Sequence, residues 1–364
     1  MNAALFLTIP ALLILGFTLL QWLIAIVNYV FRVDYSHYTS RQKELVSVII
    51  PARNEEANIG NLLNDLSGQT YKNMEIIVAN DDSSDCTAGI AGSYKGVKVI
   101  DAGLKNEGWL GKNHACYTGA KQAKGKYMLF LDADVRLGSN ALASAIGYFE
   151  QSGVVFMSVF PRQLMTGKGV YQVVPLMNYI LLSLLVIPLV KATSFVSLSA
   201  ANGQFMLFDR ELYTALEPHK RFRSEKVEDI HISRYYKRHG YCIACLTGND
   251  DIACTMYSTY EQAMEGFSKN IFAFFGNSVV AALLFWFITL TGILWMLALP
   301  WYAPAVYILA VLSTRWMISR ISRQNAGINL RMHYTQLWTM GRLMFRSLHQ
   351  QRNKSYQWKG RTIY

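Results

Sequence analysis

Residues 126–134 read KYMLFLDAD, an apolar run of strand length that ends directly in two carboxylates. Runs of this kind form buried strands of parallel sheets, and ligands of open α/β sheets bind beyond the carboxyl ends of the strands. Asp132 and Asp134 would therefore stand where a hard cation and a diphosphate can meet, and oxygen ligands suit Mg²⁺ or Mn²⁺. A D-x-D pair is also common in solvated turns, so both interpretations stay open for the pair alone.

The chain upstream of this strand alternates between strand and helix patterns. The β-rich runs occupy residues 46–50, 74–79 and 97–100. Helical patterns follow them, beginning near Glu55, Ser84 and Lys112. This β-α-β-α-β order predicts an α/β fold with a Rossmann-like, mostly parallel sheet, and the polar motifs below lie in its strand-end loops.

Two polar clusters end the first two predicted strands. Residues 80–85, NDDSSD, follow the second strand, and a carboxylate there can accept hydrogen bonds from a nucleobase or a ribose, a role we assign to Asp81. The alternative is a plain turn in which Ser83 or Ser84 caps the next helix. The first strand ends in PARNE, residues 51–55, where proline is expected to end the ladder and polar residues to begin a helix.

Residues 108–113, GWLGKN, place two glycines, an aromatic ring and a cation before a helix. The helix N-terminus and Lys112 can bind phosphate. The spacing differs from that of a P-loop, and no strand ends in G-x-G-x-x-G, so kinase and dinucleotide-binding classes lose their main support.

Further along, Glu228 and Asp229 open a helical run. Acidic residues at that position either stabilise the helix start or act in a site. His231 is either a third metal ligand or a polar surface residue.

Composition places part of the chain in lipid. Hydrophobic residues make up 52% and charged residues only 16%, which is too apolar for an ordinary soluble globule. Residues 1–31 and 270–314 carry no charge, and the second run is long enough for two helices, so three membrane spans are expected. The first span should remain as an anchor, because its apolar run continues without a small-residue cleavage pattern.

The positive charge is concentrated after the last span. Residues 315–364 hold ten Lys or Arg and no Asp or Glu, in a chain of formal net charge +11. A basic stretch directly after a membrane span is expected to contact the anionic lipids of the cytoplasmic leaflet rather than to bind nucleic acid. Arg32, Arg41 and Lys43 follow the first span in the same way, which places residues 32–270 and the tail in the cytoplasm.

Two further segments are expected at the membrane surface. Residues 169–190 are uncharged but interrupted by Pro175 and Pro188, and they are expected to lie in the interface near the acceptor entrance. Residues 331–350 have an amphipathic helical pattern. Cys242 and Cys245 form a C-x-x-C motif. The sequence has no second, well-spaced pair of zinc ligands, so core packing is favoured over a zinc site.

Taken together, these residues resemble family 2 glycosyltransferases. The resemblance covers residues 46–240 in the family's order and spacing, and it is more specific than any single motif. The segments that carry it are SVIIPARNEE (47–56), EIIVANDDSSDCT (75–87), GWLGKNHA (108–115), LDAD (131–134) and EDIHIS (228–233). The nearest subgroup is membrane-bound and non-processive and glycosylates carotenoid acids such as diaponeurosporenoate, or ceramides. The terminal WKGRTIY (358–364) is similar to that subgroup's closing motif.

The resemblance implies a glycosyltransferase A fold and an inverting transfer that depends on Mg²⁺ or Mn²⁺. The donor is expected to be a nucleotide-sugar with UDP, and the acceptor a hydroxyl or carboxyl of a lipid-like molecule. Asp229 matches the catalytic base. Donor residues are Pro51, Ala52, Asn54, Glu55, Asp81, Lys112 and Asp132, and metal ligands are Asp132 and Asp134, with His231 in addition. Acceptor or diphosphate residues are Asn202, Gly203, Gln204, Glu228, Arg352, Trp358 and Arg361, the last three being equally consistent with a membrane-surface tail.

The sequence departs from the family's usual pattern around Asp81. Asn80 stands where a first Asp is common, and Asp82 and Cys86 replace common glycines, so the identity of the base is less fixed. Alternative functions are a processive polysaccharide synthase, a non-catalytic sugar-nucleotide-binding protein and a nucleotidyltransferase. Three membrane spans are too few for the secretion channel of a processive synthase.

The expected organisation has four parts. Residues 1–31 form the anchor, 32–270 the cytoplasmic catalytic domain, 271–320 a transmembrane hairpin and 321–364 a basic amphipathic tail. Membrane lipids are expected partners and nucleic acid is not.

Overall fold

A computed structural model describes residues 3–40, 43–103, 107–353, 357–358 and 361–362. The chain divides into two compact units, which we treat separately. The sheet unit comprises residues 33–164 and 187–255. The helical unit comprises Met1–Arg32, Met165–Val186 and Met256–Tyr364.

The sheet unit is built on a seven-stranded sheet with the order β3-β2-β1-β4-β8-β6-β9, in which only β8 runs antiparallel to its neighbours. A smaller sheet has the order β5-β10-β7. The strands are β1 (Val46–Ala52), β2 (Met74–Asn80), β3 (Val97–Asp101), β4 (Tyr127–Leu131), β5 (Val135–Leu137), β6 (Phe156–Phe160), β7 (Arg162–Gln163), β8 (Phe205–Asp209), β9 (Ile243–Thr247) and β10 (Ile252–Cys254). The predicted α/β fold with a mostly parallel sheet is confirmed.

Sixteen α-helices are seen in the described part of the chain. They are α1 (Ala3–Val30), α2 (Ile59–Ser67), α3 (Thr87–Gly92), α4 (Gly111–Ala120), α5 (Ala141–Ser152), α6 (Val170–Val173), α7 (Pro175–Leu184), α8 (Pro188–Ala192), α9 (Arg210–Leu216), α10 (Pro218–Arg221), α11 (Glu228–Arg238), α12 (Tyr260–Ser268), α13 (Val279–Trp295), α14 (Ala303–Ile321), α15 (Ala326–Arg331) and α16 (His333–Arg352). Two 3₁₀ turns, Ile271–Phe275 and Met296–Ala298, flank α13.

The core of the sheet unit follows from its apolar strands. β1 and β4 lie inside the sheet and are buried along nearly their whole length. Burial of such branched and aromatic side chains is the main favourable term in folding, at roughly 25 cal/mol per Å² of apolar surface. Pro51 does not end the β1 ladder as expected, because pairing with β2 continues through Ala52. The missing N–H of Pro51 costs little, since pairing with β4 has already stopped at Ile49.

Two helices begin later than the sequence predicts. The first starts at Ile59 rather than near Glu55, because the preceding residues form a turn in which Asn54 has a positive φ of 51°. The second starts at Thr87 rather than Ser84, and neither serine caps it. In both cases a backbone N–H before the helix donates to a side chain of the other loop, Glu55 to Thr87 Oγ1 and Ser84 to Asn54 Oδ1.

The helical unit contains two helices long and apolar enough to cross a membrane, Leu7–Val30 and Val279–Ala298. The predicted third span is not supported by length and composition. The uncharged run is interrupted after Val279–Ala298, and α14 begins only at Ala303 and carries Arg315 and Arg320. Its uncharged part is therefore too short to span a bilayer of ordinary thickness.

The C-terminal helix α16 has two different faces. The helical pattern of residues 331–350 places Leu337, Met340, Leu343, Met344 and Leu348 on one apolar stripe. The first four are buried inside the helical unit, whereas Leu348 is partly exposed. The exposed face carries Trp338, which is 63% exposed, and other aromatic and basic residues. Residues 169–190, expected in the interface, form α6, α7 and the start of α8. Two short strands, β11 (Gln357–Trp358) and β12 (Arg361–Thr362), pair antiparallel after α16.

Candidate functional site

The carboxyl ends of β1, β2 and β4 bring the predicted donor residues to one edge of the sheet. β1 pairs in parallel with β2 on one side and with β4 on the other. The register sets Ala52 beside Asn80, so the loops that follow these two strands begin side by side. Asp132 follows β4 at the same end of the sheet. Parallel pairing therefore groups residues that lie far apart in the sequence.

The loops after β1 and β2 are joined by polar contacts. Arg53 Nη1 donates to the carbonyls of Asp81 and Asp82 at 2.6 and 2.7 Å. The N–H of Asn54 donates to Ser83 Oγ at 3.1 Å, and Asn54 Oδ1 accepts from the N–H of Ser84 at 2.9 Å. Each loop thus fixes the other, and the serines expected as helix caps serve this junction instead.

Asp81 lies buried against the first turn of α4. Its side chain is 4% exposed, and a Cβ added at Gly111 would collide with its carboxylate. Gly111 is therefore required by close approach, which explains one of the two glycines in the GWLGKN segment. Pro51 is half-buried and Ala52 is buried beneath the same loops. Glu55 accepts from Asn58 Nδ2 at 2.9 Å.

Lys112 lies at the centre of the acidic residues. Its Nζ is 2.7 Å from Asp132 Oδ1 and 2.9 Å from Oδ2, and 3.8 Å from Glu228 Oε1. It also donates to the carbonyl of Gly203 at 3.3 Å. The neighbouring carboxylates raise the pKa of Lys112 against the opposing effect of burial, so the ammonium stays charged. One cation therefore connects the β4 end, the Gly203 loop and α11.

Asp229 is held by backbone donors on the same side of the site. Its Oδ2 accepts from the N–H of Gly203 at 2.9 Å, and its Oδ1 accepts from the N–H of Ile230 at 2.8 Å. Burial raises the pKa of Asp229, while these two donors favour the charged form. Glu228, directly before it, is 6% exposed, and burial raises its pKa to about 7. Gly203 thus links Asp229 to Lys112 through its N–H and its carbonyl.

A hydrogen-bonded chain that the sequence did not predict leads to Asp134. Cys254 lies beside the Asp134 carboxylate, and Cys254 Sγ accepts from Gln204 Nε2 at 2.8 Å. Gln204 Oε1 in turn accepts from Gln163 Nε2 at 3.1 Å. Cys254 carried no signal for this role, because it follows an ordinary apolar segment and its partners are distant in sequence. Core packing is confirmed for Cys245, which is buried, and is wrong for Cys242, which is exposed.

The two carboxylates after β4 fit a hard cation. Asp134 Oδ1 is buried and no described protein atom donates to it. Burial raises the pKa of Asp134 to about 7, and the charges of Asp132 and Glu55 add to this. A divalent cation would favour the ionised form and give the buried oxygen a partner.

His231 does not join these two carboxylates. Within the described residues no group of three or more His, Cys, Asp or Glu has the spacing of a metal site. His231 Nε2 instead lies 3.4 Å from Glu225 Oε2. Asp132 and Asp134 therefore remain the candidate side-chain ligands.

The remaining predicted residues lie in two places. Asn202 is buried and holds the Gly203 loop, because its N–H donates to Ser158 Oγ at 2.7 Å and its Oδ1 accepts from the N–H of Gln204 at 2.8 Å. Arg352 is exposed at the end of α16 in the helical unit. The backbones of Trp358 and Arg361 pair with each other, and their side chains fall outside the described part of the structure.

Comparison with known proteins relates the sheet unit to one family. Residues 47–214 match the family model "Glycosyl transferase family 2". A 4,4'-diaponeurosporenoate glycosyltransferase of Staphylococcus haemolyticus is 31% identical over 237 residues, 62% of this chain and 60% of that protein. Its Staphylococcus aureus counterpart (strain bovine RF122 / ET3-1) is 30% identical over 250 residues, 66% of this chain and 65% of that protein. The chain thus matches less than two thirds of the length of each relative.

A solved structure shows the same fold. The mannosyltransferase from Pyrobaculum calidifontis in complex with GDP-Man and Mn²⁺ aligns with a TM-score of 0.56 at 17% identity, over 95% of this chain and 97% of that chain. This likeness supports the glycosyltransferase A-like α/β fold. Residues 47–214 of the chain are thus similar to glycosyl transferase family 2.

Proposed function

We propose that the chain transfers a sugar from a nucleotide-sugar, with UDP as the expected carrier, to a hydroxyl or carboxyl of a lipid-like acceptor. The observation that carries this proposal is the position of Lys112, which contacts Asp132 on one side and Glu228 and the Gly203 loop on the other. The leaving diphosphate and the attacking acceptor must both lie close to the anomeric carbon, and Lys112 contacts the residues assigned to each of them. The curated relatives are named for a carotenoid acid, which supports a lipid-like acceptor.

The donor half of the proposed site consists of Asp81, Asp132, Asp134 and Lys112. Asp81 accepts from the base or ribose, as its position beside the β1 loop allows. Asp132 and Asp134 would hold Mg²⁺ or Mn²⁺, which when bound supplies positive charge next to the diphosphate. Lys112 contributes a second cation, which stabilises the negative charge that develops on the leaving group.

The acceptor half depends on Asp229. The acceptor oxygen attacks the anomeric carbon from the face opposite the diphosphate, and its proton passes to the Asp229 carboxylate. The bond between the anomeric carbon and the diphosphate breaks, and its electron pair leaves with the nucleoside diphosphate. Inversion of configuration follows from this single displacement. A carboxyl that arrives from lipid also carries a proton, because apolar surroundings disfavour its charged form.

Two helices of membrane-spanning length support a location at the membrane. We propose that the sheet unit faces the cytoplasm, because basic residues follow Val30 and accumulate after residue 314. The helical unit would then act as the membrane anchor, with Leu7–Val30 and Val279–Ala298 as its spans.

The proposal is tested by incubating the full chain with a panel of nucleotide-sugars, Mn²⁺ and membrane extract. Release of nucleoside diphosphate and labelled lipid are followed together. A single labelled lipid formed in proportion to diphosphate release is expected. A polymeric product would instead indicate a processive synthase. Donor binding without acceptor-dependent release, in a folded protein, would indicate a non-catalytic sugar-nucleotide-binding protein.

A further inference from the structure

Arg315 is buried inside the helical unit, and no described residue forms an ion pair with it. It lies on α14 and is 2% exposed. Its Nε donates to His333 Nδ1 at 2.8 Å, and its guanidinium carbon lies 3.9 Å from the centroid of the Tyr179 ring. No described protein atom accepts a hydrogen bond from its Nη2. A guanidinium offers five donors and stays charged, so these contacts leave it incompletely paired.

The acidic side chains of the helical unit form ion pairs with residues other than Arg315. Its sequence contains only two, Glu261 and Glu265. Glu261 pairs with Arg346 at 3.2 Å and Glu265 with Lys269 at 3.8 Å. The described residues include no ion pair to Arg315, and burying an unpaired charge is strongly unfavourable.

The groups around Arg315 cannot replace an anion. His333 Nδ1 accepts from Arg315 Nε, so the imidazole is neutral and carries its proton on Nε2. Tyr179 offers the face of its ring. Thr314, directly before Arg315 on α14, also has a buried Oγ1 with no hydrogen-bond partner in the described part of the chain, and a hydroxyl can donate to an oxyanion.

We propose that Arg315 anchors a buried binding site for an oxyanion of the phosphate type. Guanidinium groups bind phosphate oxygens through charge-assisted hydrogen bonds, and Nη2 of this guanidinium has no acceptor among the described residues. The phosphate belongs either to a lipid headgroup or to a free ion. Arg315 is in the C-terminal half of α14, beyond the uncharged part of that helix, as expected for contact with a headgroup. The proposal does not depend on the transferase activity.

The test measures thermal unfolding of the full chain after removal of lipid in a neutral detergent. Wild type, Arg315→Gln and the matched control Arg320→Gln are compared, because Arg320 is exposed on the same helix. Each is titrated with phosphatidylglycerol, with phosphatidylcholine and with inorganic phosphate at constant ionic strength. We expect an anionic ligand to raise the Tm of wild type and Arg320→Gln but not of Arg315→Gln.

The Tm measured without added anion distinguishes a binding site from an arginine that only stabilises the fold. Without anion, Arg315→Gln should be at least as stable as wild type, because it removes an unpaired buried charge. A response to phosphatidylglycerol alone identifies a headgroup, and an equal response to inorganic phosphate identifies a free oxyanion. Equal responses in wild type and Arg315→Gln, or no response in wild type, would overturn the proposal.

A second measurement applies if Arg315→Gln does not fold. Native mass spectrometry of the wild-type chain should then show one phosphate-bearing ligand that survives conditions which remove phosphatidylcholine. A wild-type chain that retains no such ligand would rule the site out.

Discussion

The ammonium of Lys112 lies within hydrogen-bonding distance of both carboxylate oxygens of Asp132, at 2.7 and 2.9 Å. The same ammonium is 3.8 Å from Glu228. Lys112 therefore neutralises two acidic residues that belong to opposite halves of the proposed site. Its removal should affect both the stability of the sheet unit and its reaction.

Replacing Lys112 by Met should lower the Tm by about 5–10 °C, because two partly buried carboxylates lose their cation. The kcat/KM for the donor should also fall by about 10²-fold, since the leaving diphosphate loses a stabilising charge. Thermal unfolding and steady-state kinetics measure the two effects. Lys121→Met, just after the same helix and exposed, is the control and should behave like wild type. Wild-type kinetics in Lys112→Met would show that Lys112 is only a structural cation.

Gly111→Ala tests the position of Asp81. The added methyl group would collide with the Asp81 carboxylate, which must then move away from α4. We expect the KM for the donor to rise about tenfold or more, corresponding to at least about 1.4 kcal/mol of lost binding. Gly89→Ala on α3 is the control, because its methyl group meets no atom within 4 Å. An unchanged donor KM in Gly111→Ala would argue against a donor role for Asp81.

Asp134→Asn tests the proposed cation site without an activity assay. The substitution removes a carboxylate that is repelled by Asp132 and Glu55, so the Tm without metal should stay the same or rise. The increase in Tm caused by Mn²⁺, which follows from binding to the native state, should be lost. Asp101→Asn, at the end of β3, should keep the wild-type response. A full Mn²⁺ response in Asp134→Asn would place the cation elsewhere.

The sequence predicts the sheet well because its first four strands are short runs dominated by apolar residues. β4 is an example, since its five residues are all buried, and the carboxylates after it could be located before the structure was known. The antiparallel position of β8 between β4 and β6 could not be predicted, because strand partners are chosen by tertiary packing. The start of α2 was also missed, since side-chain contacts between loops replaced the first helical turn.

The candidate site could be predicted in part for the same reason. Strand-end carboxylates such as Asp132 have a recognisable position, whereas supporting residues do not. Cys254 reaches Asp134 only because β10 pairs with β5, which follows Asp134 directly. The burial of Arg315 was equally hidden, since a basic residue after a span normally indicates a solvated surface. Tertiary contacts decide both cases.

The buried His219 predicts a dependence of stability on pH. Burial lowers its pKa to about 3, and its Nδ1 is hydrogen bonded to the Tyr213 hydroxyl at 2.8 Å. The unfolded chain takes up this proton near pH 6.5, whereas the folded chain does so only near pH 3. Stability from this residue is therefore fully present above pH 6.5 and lost progressively as the pH falls towards 3.

The measurement is the Tm of wild type and of His219→Gln between pH 7.5 and 4. As the pH falls over this range, the stability of His219→Gln should decrease less steeply than that of wild type. The difference in the slope of stability against pH should correspond to about one proton taken up on unfolding. Identical slopes for the two proteins would contradict a neutral buried His219. His37, which is exposed, provides the control substitution His37→Gln.

In the proposed mechanism Asp229 removes the acceptor's proton beside a donor held at Asp132. The most direct measurement is the rate of acceptor-dependent release of nucleoside diphosphate by wild type and Asp229→Asn, at saturating donor and acceptor. Asn keeps the shape and one acceptor oxygen but cannot take the proton. We expect kcat to fall by about 10²–10⁴-fold with little change in the donor KM. A kcat equal to that of wild type in a folded Asp229→Asn protein would contradict this mechanism.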